Sequence, residues 1–167
     1  MKILLMRHCF AATVEQSGVK YDAERPLTEE GKQHAELVAD FVINNNILPT
    51  RILYTPFLRS KNTAEIIKKK LGDIPEQATT SLLPGAGVDD LLGALSNNCM
   101  TGKNWTLVIM HEPDISYILA RMMLSQDEFP LKVYPGDLFA INVDIKDQEA
   151  QAERIFSFSP FHFQNIQ

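Results

Sequence analysis

The sequence predicts an α/β protein, a three-layer α/β/α sandwich with a mostly parallel central sheet. Short, mainly apolar runs at residues 3–6, 51–54 and 105–110 stop abruptly at polar residues, the pattern of strands buried on both faces. Between them, apolar residues recur at helical spacing. Strands that alternate with helices are joined by crossovers and run parallel, which brings their carboxyl ends to one edge of the sheet. With 167 residues the chain has the length expected of one domain, residues 1–167, able to bury a core.

The first strand delivers Arg7 and His8 to that edge. Residues 10–26 form a long loop, a feature that is often functional in compact domains. At Leu27-Thr28-Glu29-Glu30-Gly31 a helix begins, with Thr28 as N-cap and two acidic residues complementing the helix dipole. Gly31 stands where a capping box would need a glutamate. Ala35, Leu37, Val38, Phe41 and Val42 supply the apolar face, and Asn44-Asn45-Asn46 ends the helix. After the second strand comes Thr55-Pro56-Phe57-Leu58-Arg59-Ser60, then a helix with Ala64, Ile66, Ile67 and Leu71 inward, stopped by Gly72.

Residues 79–84 predict a short third strand, and Gly85-Ala86-Gly87 leads to a helix with Val88, Leu91, Leu92 and Leu95 inward. Residues 105–110 are the strongest strand and end at His111. Asp114 is the expected N-cap of a helix that buries Ile118, Leu119, Met122 and Met123. Residues 138–143 and 154–158 predict a late hairpin at the sheet edge, and His162 a surface position.

Composition restricts the function classes. The chain is 45% hydrophobic and 22% charged with a formal net charge of -5, neither disordered nor fibrous. An isoelectric point near 5.3 argues against nucleic acid as the main partner, since phosphate-backbone binding needs a basic surface. Cys9 and Cys99 lack metal-ligand spacing in a chain too large to need stapling, which favours a reducing, cytoplasmic compartment. The first apolar run is too short for a signal peptide, and no stretch approaches the roughly 18 apolar residues of a membrane span. Neither a membrane partner nor a cofactor is expected. The Gly85-Ala86-Gly87 stretch lacks the third glycine of a dinucleotide fingerprint. His8 and His111 have no third ligand at a recognisable spacing, and the neighbouring arginines repel a divalent cation, so no metal is expected.

The carboxyl ends of three strands thus carry Arg7-His8, Arg59 and His111. An arginine with five fixed donors beside an imidazole that titrates near neutrality suits an anionic oxygen group, phosphate above all. Arg59, near a helix N-terminus, opposes the dipole unless an anion sits between them.

Met6-Arg7-His8-Cys9 resembles the Arg-His-Gly signature of the histidine phosphatase superfamily, the phosphoglycerate mutase-like proteins. Arg25-Pro26-Leu27-Thr28-Glu29-Glu30-Gly31, Thr55-Pro56-Phe57-Leu58-Arg59-Ser60-Lys61-Asn62-Thr63-Ala64 and Val108-Ile109-Met110-His111-Glu112-Pro113 are similar to the later blocks, in the family's order. The small size and Pro56-Phe57-Leu58-Arg59 resemble the short SixA-like branch, phosphohistidine phosphatases that act on phosphotransfer domains of bacterial signalling proteins. The resemblance implies a phosphoglycerate mutase-like fold with no cofactor and His8 as nucleophile, forming a covalent phosphohistidine that water hydrolyses. It implies that Arg7, Arg59 and His111 hold the phosphoryl oxygens, with Arg25 a further phosphate-side candidate. His8 would attack as neutral imidazole, its other nitrogen donating to a backbone carbonyl. The implied partner is a phosphorylated protein or a small phosphorylated substrate.

Two departures from that pattern stand out. Cys9 replaces the signature glycine, where backbone freedom is expected to matter. The glutamate that serves larger relatives as general acid has no counterpart in Leu83-Pro84-Gly85, leaving Asp89, Asp90 and Glu112 as candidates. A missing acid favours phosphohistidine, because an imidazole protonated on its other nitrogen departs neutral, whereas an alkoxide without acid help loses about 10²- to 10⁴-fold in rate. No long insertion is available to form a lid, which fits an open site that receives a protein surface. The alternatives are a non-catalytic phosphate-binding module and a small-molecule phosphomonoesterase.

Overall fold

In a strand, successive side chains face opposite sides of the sheet, and here both sides are apolar. Ile3 and Leu5 enter one core, Leu4 and Met6 another. The computed structural model describes residues 1–96, 104–125, 132–146 and 149–164; Cys99 lies outside them. Among the described residues, six strands form one sheet: β1 (Lys2–Arg7), β2 (Pro49–Tyr54), β3 (Glu76–Ala78), β4 (Trp105–Met110), β5 (Leu138–Lys146) and β6 (Glu149–Phe158). Their order is β3-β2-β4-β1-β5-β6. The first four are mutually parallel, and β5 and β6 add an antiparallel hairpin on one edge.

Helices cover both faces and complete the three layers. One core joins Ile3, Leu5 and Val108 to Leu91 and Leu95 of α4 (Val88–Ser96) and to Ile115, Ile118 and Leu119 of α5 (Asp114–Leu124). The other joins Leu4, Met6 and Ile109 to Ala35, Val38 and Val42 of α2 (Glu29–Asn44) and to Ala64 and Ile67 of α3 (Leu58–Leu71). Apart from Ile115, these residues lie on the inward faces that the sequence periodicity marks, whereas Leu37, expected on the apolar face of α2, belongs to neither core.

The loop after β1 is more structured than its sequence suggests. It holds the short helix α1 (Val14–Ser17), capped reciprocally by Thr13 and Gln16, and a 3-10 turn at Asp22–Glu24. A bridge between Ala11 and Leu27 and a bond from the Ala12 N–H to the Pro26 carbonyl close its base. The Phe10 carbonyl accepts from the Thr28 N–H at 3.0 Å, while Thr28 Oγ1 caps α2 through the Gly31 N–H. A Cβ at Gly31 would stand 2.0 Å from the Phe10 oxygen. That contact explains a glycine at the third helical residue, where a capping box would carry glutamate.

Two sequence expectations are corrected. The third strand is Glu76–Ala78, and residues 80–82 form a 3-10 turn capped by Thr79. As an edge strand bonded only to β2, β3 needs no apolar alternation, so its polar residues hid it. Asp114 is the first residue of α5 and not its cap; Pro113 holds the cap position, and Asp114 Oδ2 instead accepts from the Gly85 N–H at 3.0 Å. The carboxylate thereby ties the loop before α4 to the start of α5. The short helix α6 (Pro160–Gln164) ends the described chain, with His162 exposed as expected.

Helix propensity alone would have Gly31→Ala stabilise α2 by about 1 kcal/mol. The Phe10 contact reverses that sign, and a loss of about 1–3 kcal/mol is expected in urea denaturation. A gain in stability would refute the contact.

Candidate active site

Parallel pairing places the two histidines. In the β1/β4 register Arg7 lies opposite Met110, and the His8 N–H extends the ladder by donating to the Met110 carbonyl at 3.0 Å. His111 follows Met110, so the two imidazoles sit side by side with ring centroids 5.3 Å apart. On the other flank of β4, β2 ends at Tyr54 and the first turn of α3 offers Arg59. The sequence-predicted set Arg7, His8, Arg59 and His111 therefore converges.

His8 Nδ1 lies 2.8 Å from the Cys9 carbonyl, to which a ring nitrogen only donates. Its Nε2 accepts from Arg59 Nε at 3.0 Å. Both contacts assign the same tautomer, with the lone pair on Nε2. Burial pushes the His8 imidazole well below its usual range; the Cys9 carbonyl opposes this, and the charge on Arg59 adds to it. His8 is thus neutral at pH 7.

His111 is similarly held down, to about 4, first by burial and then by the Arg59 charge. Its Nε2 lies 2.6 Å from Thr55 Oγ1, which is 2.8 Å from Ser60 Oγ. Its Nδ1 is buried and has no hydrogen-bond partner in the protein. The Phe57 ring packs against His111 at 4.8 Å, with the Arg59 guanidinium 4.7 Å over it, an arrangement that favours a cation.

Arg59 is further held by Asp22. Nη1 donates to the Asp22 carbonyl at 2.9 Å, and Nη2 pairs with Asp22 Oδ2 at 3.1 Å. The other carboxylate oxygen pairs with Arg25 Nε at 3.0 Å. Arg25 thus reaches the site through Asp22, a residue the sequence reading missed although it stands three before Arg25 in a marked block.

Arg7 is braced by a turn that was also missed. Nη1 donates to the Val133 carbonyl at 2.6 Å, the Arg7 N–H to the Asp137 carbonyl, and the Gly136 N–H returns a bond to the Arg7 carbonyl. The signal was Pro135-Gly136, a turn pair just ahead of β5. Burial lowers the Arg7 guanidinium, while Glu112 and Asp137 oppose the shift, and Arg7 stays charged. Its Nε is buried without a protein partner.

Cys9 does not need a glycine's freedom. Among the described non-glycine residues only Asn46 and Ser125 have positive φ. The thiol packs in the core beside α2 and burial raises it to about 12, so it is no competing nucleophile. Asp89 and Asp90 are exposed and line a cleft of about 470 Å³ with Tyr117 and Arg121, a lining that contains none of Arg7, His8, Arg59 and His111. Glu112 accepts from Ser116 Oγ at 2.8 Å and acts on Arg7. Among the described residues, no group of three His, Cys, Asp or Glu side chains is arranged to hold a metal ion, and no helix is long and apolar enough to cross a membrane.

Two arginines and two neutral histidines at the carboxyl edge of a parallel sheet define an α/β protein with a site suited to an oxyanion. Comparison with known proteins narrows this class. Residues 3–83 match the family described as histidine phosphatase superfamily (branch 1). Phosphohistidine phosphatase SixA of Escherichia coli (strain K12) is 31% identical over 124 residues, covering 73% of this chain and 74% of that protein. The chain belongs to the histidine phosphatase superfamily, in its SixA-like branch. Its fold matches the structure of the protein histidine phosphatase SixA complexed with tungstate, at a TM-score of 0.81, 24% identity and coverage of 98% and 99% of the two chains. It also matches a putative alpha-ribazole-5'-P phosphatase from Escherichia coli, at a TM-score of 0.70, 18% identity and coverage of 96% and 98%.

A histidine held below its unfolded value binds fewer protons folded than unfolded, so stability rises with pH through that interval. For His111 the contribution is lost as pH falls from 6.5 towards about 4, and His8 acts in the same direction. The urea midpoint is expected to drop between pH 7 and pH 5, and to drop less in His111→Gln. Equal drops would contradict the neutral, buried imidazole.

Proposed function

We propose that the chain is a phosphohistidine phosphatase that removes a phosphoryl group from a histidine of a signalling protein, through a covalent intermediate on His8. The observation that carries this reading is the His8 tautomer: Nδ1 is committed to the Cys9 carbonyl, and Nε2 keeps its lone pair between Arg59 and His111. A nucleophilic imidazole needs that arrangement.

In the first step Nε2 attacks phosphorus as the bond to the substrate imidazole breaks, and Arg59 Nε moves from the lone pair to a phosphoryl oxygen. Arg7 and His111 take the other oxygens through Arg7 Nε and His111 Nδ1, each of them buried without a hydrogen-bond partner in the protein. The departing imidazole keeps a proton on its far nitrogen and leaves neutral. In the second step water attacks phosphorus, the bond to His8 breaks with its electron pair returning to Nε2, and dihydrogen phosphate carries away the protons. Arg25 acts from the side, through Asp22.

The substrate class follows from the leaving group. Asp89 and Asp90 line a different cleft, and Glu112 Oε1 accepts from Ser116 Oγ; in this reading none of the three protonates the leaving group, which discriminates against alkyl phosphates. The name of the SixA relative and the tungstate in the related structure support the same reading.

Phosphate release is expected from a histidine-phosphorylated phosphotransfer domain and not from a phosphoserine peptide or a sugar phosphate. His8→Ala should cost 10³-fold or more, on the order expected for a lost nucleophile, and Arg59→Ala about 10²- to 10³-fold. Phosphate binding without release from any substrate would sink the reading in favour of a phosphate-binding module. Efficient release from the sugar phosphate would favour a phosphomonoesterase.

A further inference from the structure

His111 is buried, and its two ring nitrogens have different surroundings. Nε2 meets Thr55 Oγ1 at 2.6 Å, and Nδ1 has no protein partner. A neutral imidazole has one N–H and one lone pair, and its neighbours decide which nitrogen carries the proton. Only the Nδ1–H form presents a donor to a phosphoryl oxygen. The Nε2–H form would aim a lone pair at it.

The hydroxyls of Thr55 and Ser60 decide the matter by their hydrogen count. Thr55 and Ser60 are fully buried, their oxygens are 2.8 Å apart, and either can donate to the other. If His111 donated to Thr55, Thr55 would donate to Ser60, and the Ser60 hydrogen would be left without an acceptor. A buried hydroxyl in that position is costly. If Ser60 donates to Thr55 and Thr55 to His111 Nε2, both hydroxyl hydrogens are used and the chain ends on the imidazole lone pair.

We propose that Thr55, supported by Ser60, is a positioning residue that holds His111 in the Nδ1–H tautomer and so aims a donor at the transferring phosphoryl group. The inference rests on the reaction proposed above for its functional consequence, but not for the tautomer itself. Thr55 is well placed for this role: its N–H donates to the Ile109 carbonyl at 3.3 Å, which ties it to the strand that carries His111. Ser60 lies in the first turn of α3, one residue after Arg59. One helix turn therefore supplies both a phosphate-side arginine and the start of the hydroxyl chain.

Long-range ¹H–¹⁵N correlation spectra of the ¹⁵N-labelled protein at pH 7 distinguish the two tautomers directly. His111 is expected as Nδ1–H with a pyridine-like Nε2. Thr55→Val, close in shape but without the hydroxyl, is expected to give a mixture of tautomers and about tenfold slower phosphohistidine hydrolysis at saturating substrate, and Thr55→Ser to restore both. An Nε2–H tautomer in the wild-type protein would overturn the proposal before any variant is made. An unchanged His111 spectrum in Thr55→Val would overturn the role of Thr55. A wild-type protein with the Nδ1–H tautomer but no phosphatase activity would support the hydrogen-bond argument and overturn the proposed reaction, so the two readings fail separately.

Discussion

The register of β1 against β4 is the constraint on which the rest of the site depends. His8 and His111 come from segments about a hundred residues apart, and only the alignment of Arg7 with Met110 sets their rings together. In a sheet with one wet face, alternation of polar and apolar residues specifies register. Here both faces are covered, and Ile3 to Met6 and Leu107 to Met110 are all buried, so alternation cannot do so. The break in polarity does. A slip by one residue would draw Arg7 into the apolar layers or push an apolar residue out at the other end, and burying a charge without partners costs several kcal/mol. The feature that ends the strands is therefore the feature that aligns them, and the active-site side chains are the ones that make the break.

This explains how much of the site was legible in the sequence. Strand ends are abrupt, so Arg7, His8 and His111 could be located from the polarity break alone, and β4 was bounded correctly at Trp105 and Met110. Helix faces were equally readable because their cores are large and one-sided. What stayed hidden lacks a periodic signal. The polar edge strand β3 carries no alternation. Asp22 acts through a backbone carbonyl and two carboxylate oxygens at once, and its position depends on how the loop folds back under the Ala11–Leu27 bridge. The brace on Arg7 is made mostly of carbonyls, from Val133 and Asp137, and carbonyls are the same in every residue.

Cys9 illustrates the reverse error, where a sequence departure suggested more than the structure carries. The expectation rested on glycine's access to positive φ, but the backbone there has no such requirement. The tight position is Gly136, with φ of 93° and a hypothetical Cβ only 2.8 Å from Pro160 and 3.6 Å from Cys9 Sγ. The close approach at Gly136 is to Pro160, and Cys9 Sγ, at an ordinary contact distance, packs into the core without demanding a glycine on either side.

The electrostatics of the site follow from the same geometry. Four groups able to carry positive charge are gathered in a chain whose net charge is -5, and they do not share the cost of burial equally. Guanidinium holds its proton against large shifts, whereas imidazole yields, so the arginines remain charged and the histidines become neutral. The carboxylates are distributed to match: Asp22 serves Arg59 and Arg25, while Asp137 and Glu112 lie beside Arg7. The contacts of the imidazoles run instead to a carbonyl, a guanidinium and a hydroxyl. A carboxylate on His8 would favour imidazolium and remove the lone pair that the proposed attack requires. Partners without negative charge for the histidines and anionic partners for the arginines keep one pair of groups neutral and the other cationic, within a few ångströms of each other.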